Sequence, residues 1–348
     1  MIKFDKKDRQ QPLVRQRLDN IQALRGIAAL MVLLLHGSYG IIPGNFGVDI
    51  FFCISGFIIV YTTQGETKDF LKKRLIRVVP LYWYATIQRF VLLWVCYYAG
   101  VANSDRRDLR CFVSSLLFLP INGAPMQTLG WTLYYEVAFY AMFAVACLAK
   151  FRMRSLLVLG EITLAVILAA ILGINVLMLF ELAGGMGAYY LIKRLYQMRT
   201  DRHTRLLFGF IAIISFATLF AIEKTVAIKF IPRTIRFGVP AFAFVVAFAK
   251  ATQDLKMPKP LVYFGDVSFS LYLMQLDVFA VLKGAMIYLG IAPSLEMYSG
   301  QGFYIEKIVT TIIGVALTFA LSFLTYNLIE KKLTGFLRKK LLRAQESV

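Results

Sequence analysis

Acidic charge is scarce in this sequence: 20 Asp and Glu stand against 39 Lys and Arg across 348 residues, a net charge of +19. Charge of either sign makes up only 17% of the chain, where soluble globular domains carry roughly a quarter. Histidine occurs twice, at His36 and His203, too few for a metal centre built on imidazoles. The four cysteines, Cys53, Cys96, Cys111 and Cys147, are scattered without metal-ligand spacing. They read as small hydrophobes rather than a disulfide framework, and no metal is expected. Internal repeats are lacking, and no polar stretch is long enough for a separate soluble domain. Residues 1–18 are charged and lack the apolar core of a cleavable signal peptide.

Apolar residues are what the chain has in quantity, 59% of it, with a mean hydropathy of +0.66. That predicts an all-α integral membrane protein, a bundle of about ten transmembrane helices. The expected spans lie at 21–39, 47–63, 80–99, 130–149, 155–172, 174–192, 206–222, 235–250, 261–282 and 305–329. Asp19 followed by Gln22 resembles a capping box opening the first helix. The apolar stretch 155–192 is nearly two crossings long, and Gly173 with Asn175 at its middle predicts a tight helical hairpin. The run at 112–120 is too short to span and is expected to be re-entrant or interfacial.

Ten spans put both termini on one side. The segments on that side carry 29 of the 39 Lys and Arg, and the positive-inside bias makes it the cytoplasm. This distribution accounts for most of the +19 without nucleic acid. The expected organisation is a basic arm (1–18), a membrane domain (19–330) and a basic tail (331–348). Acidic lipid headgroups are the ordinary partners of such cationic borders.

Ionisable residues inside apolar runs are costly and mark candidate chemistry. Arg25 and His36 lie eleven positions apart on one segment. Three helical turns plus about 20° separate them, so they share a face, about 16 Å apart along the axis. An arginine at one interface would set the histidine near the bilayer midplane. His36 reads either as a helix-to-helix hydrogen bond or as a general base or nucleophile; His203 lies in a basic, solvated run. Arg74 and Arg77, three apart before Pro80 and flanked by Lys72 and Lys73, form a cation cluster. It suits lipid headgroups or a phosphate clamp for coenzyme A. Glu136 needs a partner at its depth, with Arg25, Arg89 and His36 as candidates. Trp131, Tyr134 and Tyr135 fit an interfacial aromatic belt. Asp49, Glu181, Arg89 and Asp277 are also near spans and carry no assigned chemistry.

Taken together, these stretches resemble the acyltransferase-3 family of membrane-bound acyltransferases, and among them bacterial exopolysaccharide O-acetyltransferases. The resemblance runs from about Asn20 to Glu330. It rests on Arg25 with His36, FGVDIFFCISGFII at 46–59, RLIRVVPLYW at 74–83, LGWTLYYEVAFY at 129–140, VSFSLYLMQ at 267–275 and YNLIEK at 326–331. It implies an enzyme of the bacterial inner (cytoplasmic) membrane using acetyl-CoA as acyl donor and a carbohydrate acceptor, a lipid-linked repeat unit or a surface polysaccharide. By resemblance the catalytic residues are His36 and Arg25, with Arg74 and Arg77 on the coenzyme; the reading of the residues themselves adds Glu136 to the catalytic set, Lys73 to the coenzyme set, and Trp131 and Tyr135 as acceptor contacts. The family commonly has histidine where this chain has Gln275. Homo-oligomerisation is left open, as is acetyl against succinyl. The competing class is a transporter or flippase of glycan intermediates with His36, Glu136 and Asp277 as a proton path; the arginine pair and the lack of repeats count against it.

Overall fold

The computed structural model describes residues 18–64, 67–98, 108–121, 123–289 and 305–343, and every regular element among them is helical. In chain order these are α1 (Asp19–Gly37), α2 (Gly47–Thr62), α3 (Phe70–Tyr98), α4 (Leu109–Leu116), α5 (Trp131–Ala146), α6 (Phe151–Ile171) and α7 (Leu179–Tyr196). There follow α8 (Arg202–Lys224), the short α9 (Arg233–Arg236), α10 (Gly238–Ala251), α11 (Lys259–Tyr288), α12 (Ile305–Thr325) and α13 (Thr334–Arg343), with a π-helical segment Tyr326–Leu333 joining the last two.

Each expected span coincides with a helix, and among the described residues seven helices are long and apolar enough to cross a membrane. The other three are α2, α5 and α7. The first two have 16 residues each, about 24 Å of helix against a hydrocarbon core of about 30 Å. The third carries Glu181, Lys193 and Arg194 within its 18 residues. All-α membrane architecture is therefore established.

Several local expectations are corrected. Helix α1 starts at Asp19 itself, with Leu18 in the capping position and no side-chain cap. Gln22 instead donates to Asp266 Oδ1 at 2.7 Å, so there is no capping box. Helix α3 begins at Phe70 rather than Pro80, which lies inside it. Proline loses one backbone bond but keeps a helical φ, and packed membrane helices tolerate that loss. Residues 331–343 of the expected tail are helical, and Lys72 Nζ of α3 donates to the Leu341 carbonyl at 2.6 Å. The expected hairpin between α6 and α7 is present: Gly173 takes φ +70°, and Asn175 Oδ1 accepts from the Leu177 amide at 3.1 Å. The expected 112–120 piece contains part of the eight-residue α4. Residues 1–17 of the basic arm lie outside the described residues.

Close helix contacts build the core. A Cβ on Gly265 of α11 would lie 1.9 Å from the Gln22 carbonyl oxygen of α1, and one on Gly185 of α7 would lie 2.1 Å from the Cys53 carbonyl oxygen of α2. Apolar burial drives little association between helices in lipid, so such backbone-to-backbone approaches supply much of the packing. Helix α1 is the hub, touching α2, α10, α11 and α12. At the end of the bundle where α1 gives way to α2, a two-pronged ion pair ties α9 to α2. Arg233 Nη2 meets Asp49 Oδ2 at 2.6 Å and Nε meets Oδ1 at 3.2 Å. Glu223 accepts from the Gly44 and Asn45 amides at 3.1 Å, pinning the loop between α1 and α2 to α8.

Candidate active site

The hub helix turns Arg25 towards a cavity lined from α1, α2, α3, α5 and α11. Arg74 and Arg77 enter it from the start of α3, and Glu136 with Tyr140 from α5. Helical spacing explains both pairs: residues three or four apart stand over one another on a helix surface. Because α3 begins at Phe70, its first two turns project the arginine pair alongside Arg25 instead of leaving it on a loop.

Four expected residues thus meet in one place although they come from three distant parts of the chain. Their charges interact: Arg25 senses Arg77, Glu136 and Glu330, and Arg74 senses Tyr140, Arg77 and Glu136. Tyr140 donates to Glu136, and Ser55 of α2 donates to the same carboxylate oxygen at 3.3 Å. Arg74 Nη2 also donates to the Thr62 hydroxyl. Glu330, on the π-helical segment, accepts from the Ser270 amide at 3.1 Å and from its hydroxyl. Three guanidinium groups therefore face two carboxylates. Such a site is suited to an anion, because guanidinium forks bind phosphate and carboxylate oxygens in pairs.

Sequence reasoning gave no role to Tyr140, Ser55 or Glu330. Tyr140 stands four residues after Glu136, so the helix neighbour rule was enough to find it. Glu330 is in the YNLIEK stretch but only the tertiary fold carries it to the arginines. π-Helical turns are uncommon and concentrate at functional positions, which singles out this segment.

The remaining expected residues are elsewhere. Lys73 Nζ donates to the Lys68 carbonyl at 2.9 Å and is not among the cavity-lining residues. Trp131 and Tyr135 pack against Phe52 with ring centroids 6.4 and 6.1 Å away, and the Tyr135 hydroxyl donates to the Asn175 carbonyl at 3.2 Å. Neither lines the cavity. Asp277 is paired with Arg89 at 2.7 Å and accepts from Gln127 at 3.1 Å.

His36 lies in the last turn of α1, one residue before its end, and it too is outside the cavity lining. Phe51 and Tyr272, which do line it, have ring centroids 6.0 Å apart. Tyr272 is held by its hydroxyl, which donates to the Leu129 carbonyl at 3.1 Å. The imidazole Nδ1 is 2.8 Å from the Val32 carbonyl oxygen. A carbonyl can only accept, so Nδ1 carries the proton of the neutral ring and Nε2 keeps a free lone pair.

A helical membrane protein with an arginine-lined cavity and a half-buried imidazole on the same hub helix is the class these features define. The family follows from comparison: residues 18–327 match the acyltransferase domain family, and the chain belongs to it. Over 110 residues it is 36% identical to the exopolysaccharide production protein ExoZ of Rhizobium meliloti (strain 1021), covering 29% of this chain and 33% of that protein. Over 146 residues it is 29% identical to the peptidoglycan O-acetyltransferase OatA of Listeria monocytogenes serovar 1/2a, covering 36% of this chain and 23% of that one. The matched stretches thus span a third or less of either relative. No solved structure is significantly similar to this chain.

Proposed function

We propose that this protein is a membrane O-acyltransferase that moves an acyl group, acetyl in the simplest case, from cytoplasmic acyl-CoA to a hydroxyl of a surface or extracellular polysaccharide. The proposal includes ten crossings of a bacterial inner membrane with both termini in the cytoplasm. The meeting of Arg25, Arg74 and Arg77 in one cavity carries this reading. Acyl-CoA is polyanionic around its phosphates, and its thioester carbonyl gains negative charge as it is attacked. Arg74 and Arg77, nearest the charged start of α3, serve the phosphates. Arg25, on the hub helix, serves the carbonyl oxygen, where a fixed positive charge lowers the barrier most. Glu136, bonded by Tyr140 and Ser55, keeps the guanidinium groups from crowding one another and sets their orientation.

His36 supplies the base or the nucleophile, because Nε2 is the free nitrogen. As a base it takes the proton of the sugar hydroxyl, the oxygen attacks the thioester carbonyl, and the C–S bond breaks as the proton passes to the departing CoA thiolate. As a nucleophile it takes the acyl group first and hands it on, which also bridges a donor on one side and a glycan on the other. Either route requires the cavity and the imidazole to communicate. The ExoZ and OatA similarities favour polysaccharide as the acceptor; peptidoglycan and exopolysaccharide both offer hydroxyls.

The test is transfer from radiolabelled acetyl-CoA by purified protein, wild type beside His36→Ala, with and without crude cell-surface glycan. Label trapped on wild-type protein and chased to glycan is expected for the relay, and direct labelling of glycan for the base. Wild-type transfer by His36→Ala would refute the role of His36, and absence of CoA turnover by folded wild-type protein would refute acyl transfer altogether.

A further inference from the structure

The cavity that holds the arginines has two unlike ends. At one, Arg74 donates to the hydroxyl of Thr62, the last residue of α2, and Arg77 beside it is exposed. Two turns back along α2, Ser55 donates to Glu136. Phe52 lies ten residues from Thr62, about 15 Å along the helix axis. The lining there is Val48, Phe52, Thr132, Leu133 and Tyr272, each of them buried. The two hydroxyl groups in this set have already given their protons away: Thr132 and Tyr272 both donate to the Leu129 carbonyl at 3.1 Å. The cavity therefore offers charge at its open end and an apolar surface at its closed one.

Phe52 is the large, unanchored-by-hydrogen-bond side chain of the closed end, and it is held by packing alone. Its ring meets Trp131 and Tyr135 of α5 edge-on, with centroids 6.4 and 6.1 Å away. Those two rings meet each other at 6.0 Å. A ring braced from behind in a close-packed cluster does not swing aside without displacing its neighbours. It stands between α2 and α5, whereas Arg25 and His36 are both on α1.

We propose that the closed end receives the acyl group of the thioester and that Phe52 sets its size, restricting the donor to a short, uncharged acyl group. This rests on the acyl-transfer reading. With the phosphates on Arg74 and Arg77, the thioester points away from the open end, its carbonyl towards Arg25 on α1 and its acyl carbons towards Phe52 on α2. An acetyl group brings a single methyl to that surface. A longer chain has to push Phe52 into Trp131 and Tyr135, and overpacking is costly. A succinyl group would carry a carboxylate to a place where the hydroxyl donors are taken and the arginines are at the other end, and an unpaired buried carboxylate is costlier still.

The test is the donor profile, read as CoA thiol released by purified protein with glycan acceptor and acetyl-, propionyl-, butyryl- or succinyl-CoA. Wild-type kcat/KM should fall about tenfold or more from acetyl to butyryl, the discrimination a packed apolar pocket makes between methylenes. Succinyl-CoA should be slower than acetyl-CoA by about a hundredfold or more. Phe52→Ala should bring butyryl to within about threefold of acetyl, with Phe52→Leu in between. Ile59→Ala, which enlarges the cavity nearer its charged end, should keep the wild-type order. A profile unchanged in both Phe52 variants at equal folded yield overturns the proposal, as does the same relaxation in Ile59→Ala. So does wild-type protein that uses butyryl- or succinyl-CoA as readily as acetyl-CoA, a result that needs no variant to fold. Folded wild type that turns over none of the thioesters overturns the reading beneath, whereas acetyl turnover with a flat profile overturns the size limit alone.

Discussion

A guanidinium held among membrane helices needs a counter-charge, and the three in this cavity share Glu136 and Glu330. The imbalance leaves the site ready for an anion and orders the side chains by their expected effect. Arg77→Ala should raise the KM for acyl-CoA ten- to a hundredfold, the loss of one charge-assisted contact of about 1.5–3 kcal/mol. Lys73→Ala, whose ammonium binds a backbone carbonyl away from the cavity, should change it by less than about twofold, the weak effect of an exposed charge. Steady-state kinetics on the two variants checks the pair. Arg25, Arg74, Arg77 and Glu136 were legible in the sequence because ionisable residues are rare in apolar runs and conspicuous there. The alignment of Arg25 and His36 on one face was legible too. What helical periodicity did not reveal is that Arg25 lines the cavity and His36 does not.

Helices were legible as elements because apolar runs of membrane length leave little else for the backbone to do. Their ends were less so: Pro80 looked like a start but lies within α3, since the residues before it were free to continue the helix. Packing between helices yields two expectations. Gly185→Ala places a methyl group against the Cys53 carbonyl, and overpacking of this kind costs about 1–3 kcal/mol. Gly187, on the same helix, has nothing within 4 Å of its would-be Cβ, so Gly187→Ala should be neutral or slightly stabilising. Thermal unfolding in detergent should therefore separate the two. Arg233→Ala strips Asp49 of its partner while the carboxyl stays buried, an expected loss of about 3–5 kcal/mol. Adding Asp49→Asn should recover much of it, because the uncompensated charge is then gone; folded yield and unfolding temperature measure both.

Across the whole molecule, seven helices satisfy the length and hydropathy of a crossing, and the proposed topology adds α2, α5 and α7. Ten crossings put Asp201 and Val226, at opposite ends of α8, on opposite faces of the membrane. In a cysteine-free background, Val226→Cys should react with an impermeant thiol reagent in intact cells, and Asp201→Cys only after permeabilisation. Labelling of both from one side would reject the arrangement. Charge bias is the sequence argument for this proposed topology, whereas the three-dimensional meeting of α1, α3 and α5 was not legible, because nothing in a linear pattern states which helix faces which. The cluster of arginines and carboxylates has a consequence for the cell as well as for the reaction. A bilayer that stores energy as an ion gradient is short-circuited by any continuous wet path through it, and a charged chamber among the helices is a stretch of such a path. A transferase built around one has to pass an acyl group while passing no ions.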